Sequence, residues 1–380
     1  MISGVYLGSM MIVGNQLSRR QVWTINGRFT AQEMTGVQRY AREVVSAIDQ
    51  ILDEDNDLAR RLGFELVVPR KTQYELNLAR MLRRRTYVGS GHAWDQFVLP
   101  GYQKCGVLSL GNFGPVLARR HIVCIHDANT FLEPASYSPM FRTFYRTMLP
   151  VIGMRALKVA TVSRFSADML IRHGVCISDK IFLAPNGHEH ALRWDASRAE
   201  LPLLKTLRRP YVLLLGSRAK HKNIQIVLAG AESLDKAAID IVVCGASSNI
   251  FSNNSADSIA PNIHYAGYVS DDDLAALYQG ALCLAFPSKT EGFGIPVLEA
   301  MARGCPVVSS NAASLIEVGG DAVLSIDPGN PADWRDAIIG LCGDRNLRMS
   351  LIAKGRKRAM LFSWKRTARV YLDEIMSLQD

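Results

Sequence analysis

Short apolar runs alternate with helix-like segments along almost the whole chain, and that alternation restricts the fold more than any other feature of the sequence. Strand-like runs read at 21–27 (QVWTING), 64–69 (FELVVP), 106–110 (GVLSL), 121–127 (HIVCIHD), 158–163 (KVATVS) and 180–186 (KIFLAPN). A second series follows at 211–217 (YVLLLGS), 239–245 (IDIVVCG), 262–267 (NIHYAG), 281–288 (ALCLAFPS), 306–310 (PVVSS) and 322–327 (AVLSID). Strands that alternate with helices build α/β domains with parallel sheets. Between the two series, residues 187–210 carry little strand signal and end in Pro210. The chain therefore divides into an N-terminal extension at 1–20, a first Rossmann-like domain at 21–195 and a second at 205–380. Its 380 residues leave room for two separate cores. Two such units joined by one linker predict parallel sheets facing a central cleft, with a ligand at the carboxyl ends of the strands.

The chain carries 44 Lys and Arg against 35 Asp and Glu, a formal net charge of +9. The excess is uneven: residues 1–200 hold 25 basic and 17 acidic side chains, residues 201–380 hold 19 and 18. The first half thus faces an anionic membrane, a polyanion or an acidic substrate. Seven cysteines without C-x-x-C spacing, most of them in apolar runs, read as buried thiols of a reducing cytoplasm, neither a disulfide framework nor a zinc site. The apolar stretch VYLGSMMIV is too short to span a bilayer and lacks the basic residue that precedes a signal peptide's apolar core. In LNLARMLRRRTYV (76–88), Arg80, Arg83, Arg84 and Arg85 lie beside Leu76, Leu78, Met81 and Leu82. As a helix this segment would be basic and amphipathic, suited to an acidic membrane face.

The best-defined element is TEGFGIPVLEAMARGCP (290–306), with a Gly-rich turn, Pro296 in the first helical turn and Gly304 as the stop before Pro306. A strand, a glycine turn and a helix N-terminus make an anion site, because free N–H groups and the helix dipole face the loop. Glu291 lies in that loop and Glu299, eight residues on, about one turn into the helix. With GFGIP between them and AFPS before them, the two glutamates resemble the signature of retaining nucleotide-sugar glycosyltransferases of the GT-B fold, in the large family numbered four (glycosyl transferases group 1). YVLLLGSRAKHKN (211–223) is similar to that family's strand, glycine turn and basic loop, although Ser217 stands where many members have arginine and Arg218 follows one residue later. CIHDANTFLEP and INGRFTAQEMTGVQRYAREVV resemble its His-Asp pair and its first glycine loop. GHAWDQFVLP, TVSRFS, APNG and FSWKRTARVYL extend the resemblance over nearly the whole chain.

The resemblance implies a nucleotide diphospho-sugar held mainly by the second domain, an acceptor entering from the first, and a last helix that packs back on the first domain. Gly216, Ser217, Arg218 and Lys222 would meet the diphosphate, where cations neutralise oxygens that gain charge as the leaving group departs. Glu299 would bond the ribose hydroxyls. Glu291, with Gly292 and the backbone of Phe293, Gly294 and Ile295, would hold hydroxyls of the transferred sugar, and His126 its far side. Gly36 would let the backbone approach donor or acceptor, and Asp127 would lie toward the acceptor. The family resemblance further implies retention of configuration, no divalent metal and no cofactor. It points to bacterial polysaccharide or lipopolysaccharide assembly, with mannose from GDP-mannose first among the sugars and rhamnose, glucose or galactose next. The acceptor would be an oligosaccharide or a lipid-linked glycan at the cytoplasmic face of the membrane, to which the enzyme would bind peripherally.

Other signals point elsewhere and fail. Asp271, Asp272 and Asp273 contain D-x-D, but they follow GYVS and precede LAALYQG, which predicts the first turn of a helix capped by Ser270. G-x-G-x-x-G, G-x-x-x-x-G-K-[ST] and G-x-S-x-G are absent, which leaves no support for a nicotinamide enzyme, a P-loop ATPase or a serine hydrolase. The basic charge is not gathered into a run interleaved with aromatics, so a nucleic-acid partner is not expected. Two alternatives stay open beside the transferase: a sugar-nucleotide sensor, which would keep the glycine loops and Lys222 yet need not keep Glu291 and His126, and another GT-B enzyme such as an epimerase, which would hydrolyse or isomerise the donor without an acceptor.

Overall fold

The computed structural model describes residues 20–216, 219–245 and 260–378. Its first sheet contains β1 (Gln21–Asn26), β2 (Leu62–Val68), β3 (Leu82–Arg85), β4 (Gly106–Ser109), β5 (His121–Cys124), β6 (Lys158–Thr161) and β7 (Ile181–Leu183), in the order β3-β2-β1-β4-β5-β6-β7. The second contains β8 (Tyr211–Leu215), β9 (Asp240–Cys244), β10 (Ile263–Gly267), β11 (Cys283–Phe286), β12 (Val307–Ser310) and β13 (Leu324–Ile326), in the order β10-β9-β8-β11-β12-β13. Neighbouring strands run parallel in both. Helices cover both faces of such sheets, so central strands are apolar throughout. All seven residues of β2 and all five of β9 are buried.

The helices packed on these sheets include α1 (Gly36–Glu54), α2 (Pro139–Arg155), α3 (Arg164–Arg172), α4 (Asp271–Gly280), α5 (Ile295–Arg303) and α6 (Trp364–Ser377), of which α1, α4 and α5 line the cleft. α5 begins after Gly294, with Pro296 in its first turn, and stops at Gly304, whose φ of 74° is the left-handed conformation of a C-terminal stop. Ser270 caps α4 in a full capping box with Asp273, as the sequence predicts. The last helix, α6, lies on α1: Tyr371, Leu372 and Ile375 are buried, and the Tyr371 hydroxyl is 2.8 Å from that of Tyr40, which donates to the Ala184 carbonyl at 3.0 Å. This helix ties the end of the chain to the domain in which it starts.

Most expected strands stop one to three residues early, because their last residues leave the sheet to form the cleft loops. One expectation is overturned. The arginine-rich segment at 76–88 is not an amphipathic helix: residues 82–85 form β3, an exposed edge strand pairing with Glu65–Val68 of β2. Arg83 and Arg85 bind Glu75 at 2.8 and 3.0 Å, Arg84 binds Glu65, and Arg80 binds Asp53 at 2.7 Å. The open edge of β2 supplies backbone partners and nearby carboxylates take the charges. Arginine on an outer strand also discourages pairing with another chain. The N-terminal extension lies outside the described residues apart from Arg20.

Candidate active site

In open parallel sheets a ligand site forms where the strand order reverses, outside the carboxyl ends of the two strands that diverge. The first sheet reverses between β1 and β4, the second between β8 and β11. The loops after β5, β8 and β11 meet in one cleft of about 370 Å³. Gly36, His126, Asp127, Lys222, Glu291, Gly292, Phe293, Gly294, Ile295 and Glu299 all line it. Gly216 follows β8, next to Leu215 of the same cleft. Ser217 and Arg218 lie outside the described residues. Arg80, Arg83, Arg84 and Arg85 lie on or beside the outer edge strand of the first sheet, away from the cleft.

Lys222, in the turn after β8, reaches Glu291 with an Nζ to Oε1 distance of 2.6 Å. The ammonium also lies over the ring of Phe286, 5.4 Å from its centroid. This pair is the charged centre of the cleft. Gly292 follows it, and its carbonyl accepts from the hydroxyls of Ser163 and Ser166 across the domain boundary at 2.7 and 3.1 Å. A Cβ at Gly292 would come within 2.6 Å of the His126 carbonyl oxygen, so the backbones of the two domains touch at a point only glycine permits. Gly294 has φ 97°, and a Cβ there would meet Leu315 at 2.4 Å. The GFG turn thus combines a close approach with a left-handed bend.

His126 is buried and its Nε2–H donates to the Leu110 carbonyl at 3.0 Å, which leaves Nδ1 without a proton. Burial lowers its pKa to about 4, so the ring is neutral at physiological pH. Asp127 is pushed upward, first by burial and further by the charge of Glu291, while the Asn129 N–H works against the shift. The phenol of Tyr137 is raised by burial and by the charges of Asp127 and Glu291, which puts it beside the same cluster. His221, next to Lys222, donates its N–H to Ser136 Oγ of the first domain at 3.3 Å.

Glu299 sits deeper. Its Oε1 accepts from His190 Nε2 at 2.9 Å, its Oε2 from the Tyr278 hydroxyl at 3.3 Å, and Arg39 Nε lies 4.0 Å away. Arg39 forks onto Asp271 at 2.6 and 3.0 Å and stacks over Trp194. The other members of the acidic triplet are engaged too: Asp272 accepts from the Asp195 N–H at 2.7 Å, and Asp273 from the N–H groups of Glu200 and Leu201 at 2.8 and 2.9 Å. Sequence reasoning missed Arg39, Tyr137, His190 and Tyr278. Arg39 lies one helical turn after Gly36 in a segment already singled out, which is a usable signal. His190 carries none, since it falls in the stretch without strand pattern.

Residues 200–358 match the family described as Glycosyl transferases group 1. Over 87 % of its length the chain is 28 % identical to the O-antigen chain mannosyltransferase B of Escherichia coli, covering 93 % of that protein. The O-antigen chain mannosyltransferase RfbU of Salmonella typhimurium strain LT2 is 26 % identical, with 80 % of this chain and 86 % of that one aligned. Among solved structures, WaaG, a glycosyltransferase involved in lipopolysaccharide biosynthesis, superposes with a TM-score of 0.69 at 16 % identity over 93 % of this chain and 99 % of its own. HepE of Anabaena in complex with UDP and glucose gives 0.62 at 15 % identity over 94 % and 100 %. A cleft between two parallel sheets and these likenesses lead to one conclusion: residues 200–358 are a glycosyl transferases group 1 domain, and the protein is a glycosyltransferase built on two parallel-sheet, Rossmann-like domains in the GT-B arrangement.

Proposed function

We propose that the protein transfers mannose, with GDP-mannose as donor, to a hydroxyl of a growing O-antigen-type glycan, with retention of configuration and without a divalent metal. The observation that carries this reading is the Lys222–Glu291 pair at 2.6 Å, set where the donor loop, the GFG turn and His126 converge. The mannosyltransferase relatives, which align along most of both chains, support the choice of sugar.

In the proposed reaction the anomeric carbon's bond to the β-phosphate oxygen breaks, its bond to the acceptor oxygen forms on the same face, and the leaving phosphate takes the acceptor proton. Lys222 leaves Glu291 for the diphosphate as charge builds there, joined by Arg218 and by N–H groups at the start of α5, where the helix dipole is positive. Glu291, freed, accepts from sugar hydroxyls together with the Phe293 and Gly294 backbone. His126, neutral and held by Leu110, offers an acceptor nitrogen to the sugar and no charge. Glu299 takes the ribose. The carboxylates of 271–273 are committed to Arg39, to Ser270 and to backbone N–H groups, which supports phosphate neutralisation by cationic side chains over a D-x-D metal.

Among the described residues no helix is long and apolar enough to cross a membrane. We place the enzyme peripherally at the cytoplasmic membrane face, on the basic charge of its first half. The test is to incubate the purified protein with a panel of nucleotide sugars and a mannan-type oligosaccharide, with magnesium or with a chelator. The expected product is one α-linked mannose from GDP-mannose, undiminished by the chelator. Transfer from another donor only, an inverted linkage, chelator-sensitive turnover, or isomerisation of the donor without acceptor would each overturn the corresponding part.

A further inference from the structure

The linker between the domains does more than join them. Residues 188–190 are bonded to 362–364 at the start of α6. His188 Nδ1 donates to the Phe362 carbonyl at 2.6 Å, and the Glu189 carboxylate accepts from the Ser363 hydroxyl and from the Trp364 N–H at 3.0 Å. The Trp364 indole N–H then donates to His190 Nδ1 at 3.0 Å. Indole nitrogen is a donor only, so Nδ1 must be unprotonated and Nε2 must carry the ring's hydrogen. That hydrogen points to Glu299 Oε1 at 2.9 Å. His190 is 1 % exposed, so water does not compete for either bond.

We infer that His190 is a positioning residue for the donor: it orients the Glu299 carboxylate toward the nucleotide's ribose, and Trp364 fixes the imidazole tautomer that makes this possible. The inference rests on the proposed ribose role of Glu299. A carboxylate has about four lone-pair sites. His190 and Tyr278 take one on each oxygen, and Glu299 lines the cleft. One lone pair per oxygen is then free, which matches two adjacent hydroxyls, the cis-diol of a ribose. With the other tautomer, an Nε2 lone pair would oppose Oε1 and turn the carboxylate away. A residue that acts this way changes binding of ground and transition states equally, so it moves KM and leaves kcat alone.

The experiment measures donor KM, kcat and equilibrium affinity for the donor's nucleoside diphosphate in His190→Ala, His190→Gln, Trp364→Phe, Glu299→Ala and the His190→Ala/Glu299→Ala double variant. Trp364→Phe keeps an aromatic ring in the site and removes the indole N–H with part of the ring's volume, so it serves if His190→Ala does not fold. The expected result is a donor KM raised about tenfold in His190→Ala and Trp364→Phe, with kcat within twofold of wild type. His190→Gln, which still donates an N–H, should recover most of the loss. In the Glu299→Ala background, His190→Ala should add less than twofold, because the carboxylate it orients is gone. Equal costs of His190→Ala in both backgrounds, or a kcat loss without a KM change, would overturn the inference while leaving the donor reading intact. Nucleotide affinity unchanged in Glu299→Ala would instead remove the ribose role, and the inference with it.

Discussion

Lys222 and Glu291 neutralise each other in the cleft, and removing either leaves the other, partly buried charge without its counter-ion. Lys222→Ala and Glu291→Ala are expected to lower kcat about 100-fold or more while the fold persists, measured by initial rates beside a circular dichroism melt. A variant with turnover near wild type would remove that residue from the reaction. The buried histidines set a second expectation. Burial depresses His126 to about 4 and His121 to about 3, from an ordinary 6.5. In the unfolded chain both bind protons at higher pH than in the native one. Stability is therefore full above about pH 6.5 and falls as pH drops toward 4 and then 3, by about 1.4 kcal/mol per pH unit for each ring. Urea unfolding at pH 7, 6 and 5 should show this slope, and His121→Asn should halve it. A flat profile across that window would contradict the burial of both rings.

Elements differ in how far the sequence foretells them. The α5 boundaries follow from Pro296 and Gly304, and the α4 start from Ser270 and the acidic triplet, because caps act within a few residues. The strand β3 was not legible: LRRR has no apolar period, and it is a strand only because the β2 edge offers backbone partners and Glu65 and Glu75 offer carboxylates. The GFG turn was legible as glycines but not as an interdomain contact. Gly292→Ala places a methyl 2.6 Å from the His126 carbonyl, so the expected effect is about 1–3 kcal/mol of destabilisation together with lost transfer. Gly101→Ala, with nothing within 4 Å of the new methyl, serves as the control and should stay within about 0.5 kcal/mol of wild type. Both are read by urea midpoint, and equal midpoints would show that the two backbones can separate freely.

At the scale of the molecule, the two domains are held together by α6 on α1, by the linker clasp and by the fork of Arg39 on Asp271. Arg39→Gln removes the fork without touching a sheet. It should raise the radius of gyration of the ligand-free protein in small-angle scattering and raise donor KM several-fold; an unchanged value of both would mean that the fork holds nothing. The sequence by itself determined two series of parallel strands, the helix caps and the glycine turn, and it marked Lys222, Glu291, His126 and Glu299 as chemistry. All of these depend on neighbours within one turn or one strand, or on a local motif. Only the tertiary structure decided that Lys222 pairs with Glu291 across 69 residues, that the arginines of 80–85 are spent on an edge strand, and that Trp364 reaches Glu299 through His190. A side chain's partner across the fold is set by where two backbones are brought together, and no periodicity in the chain records that.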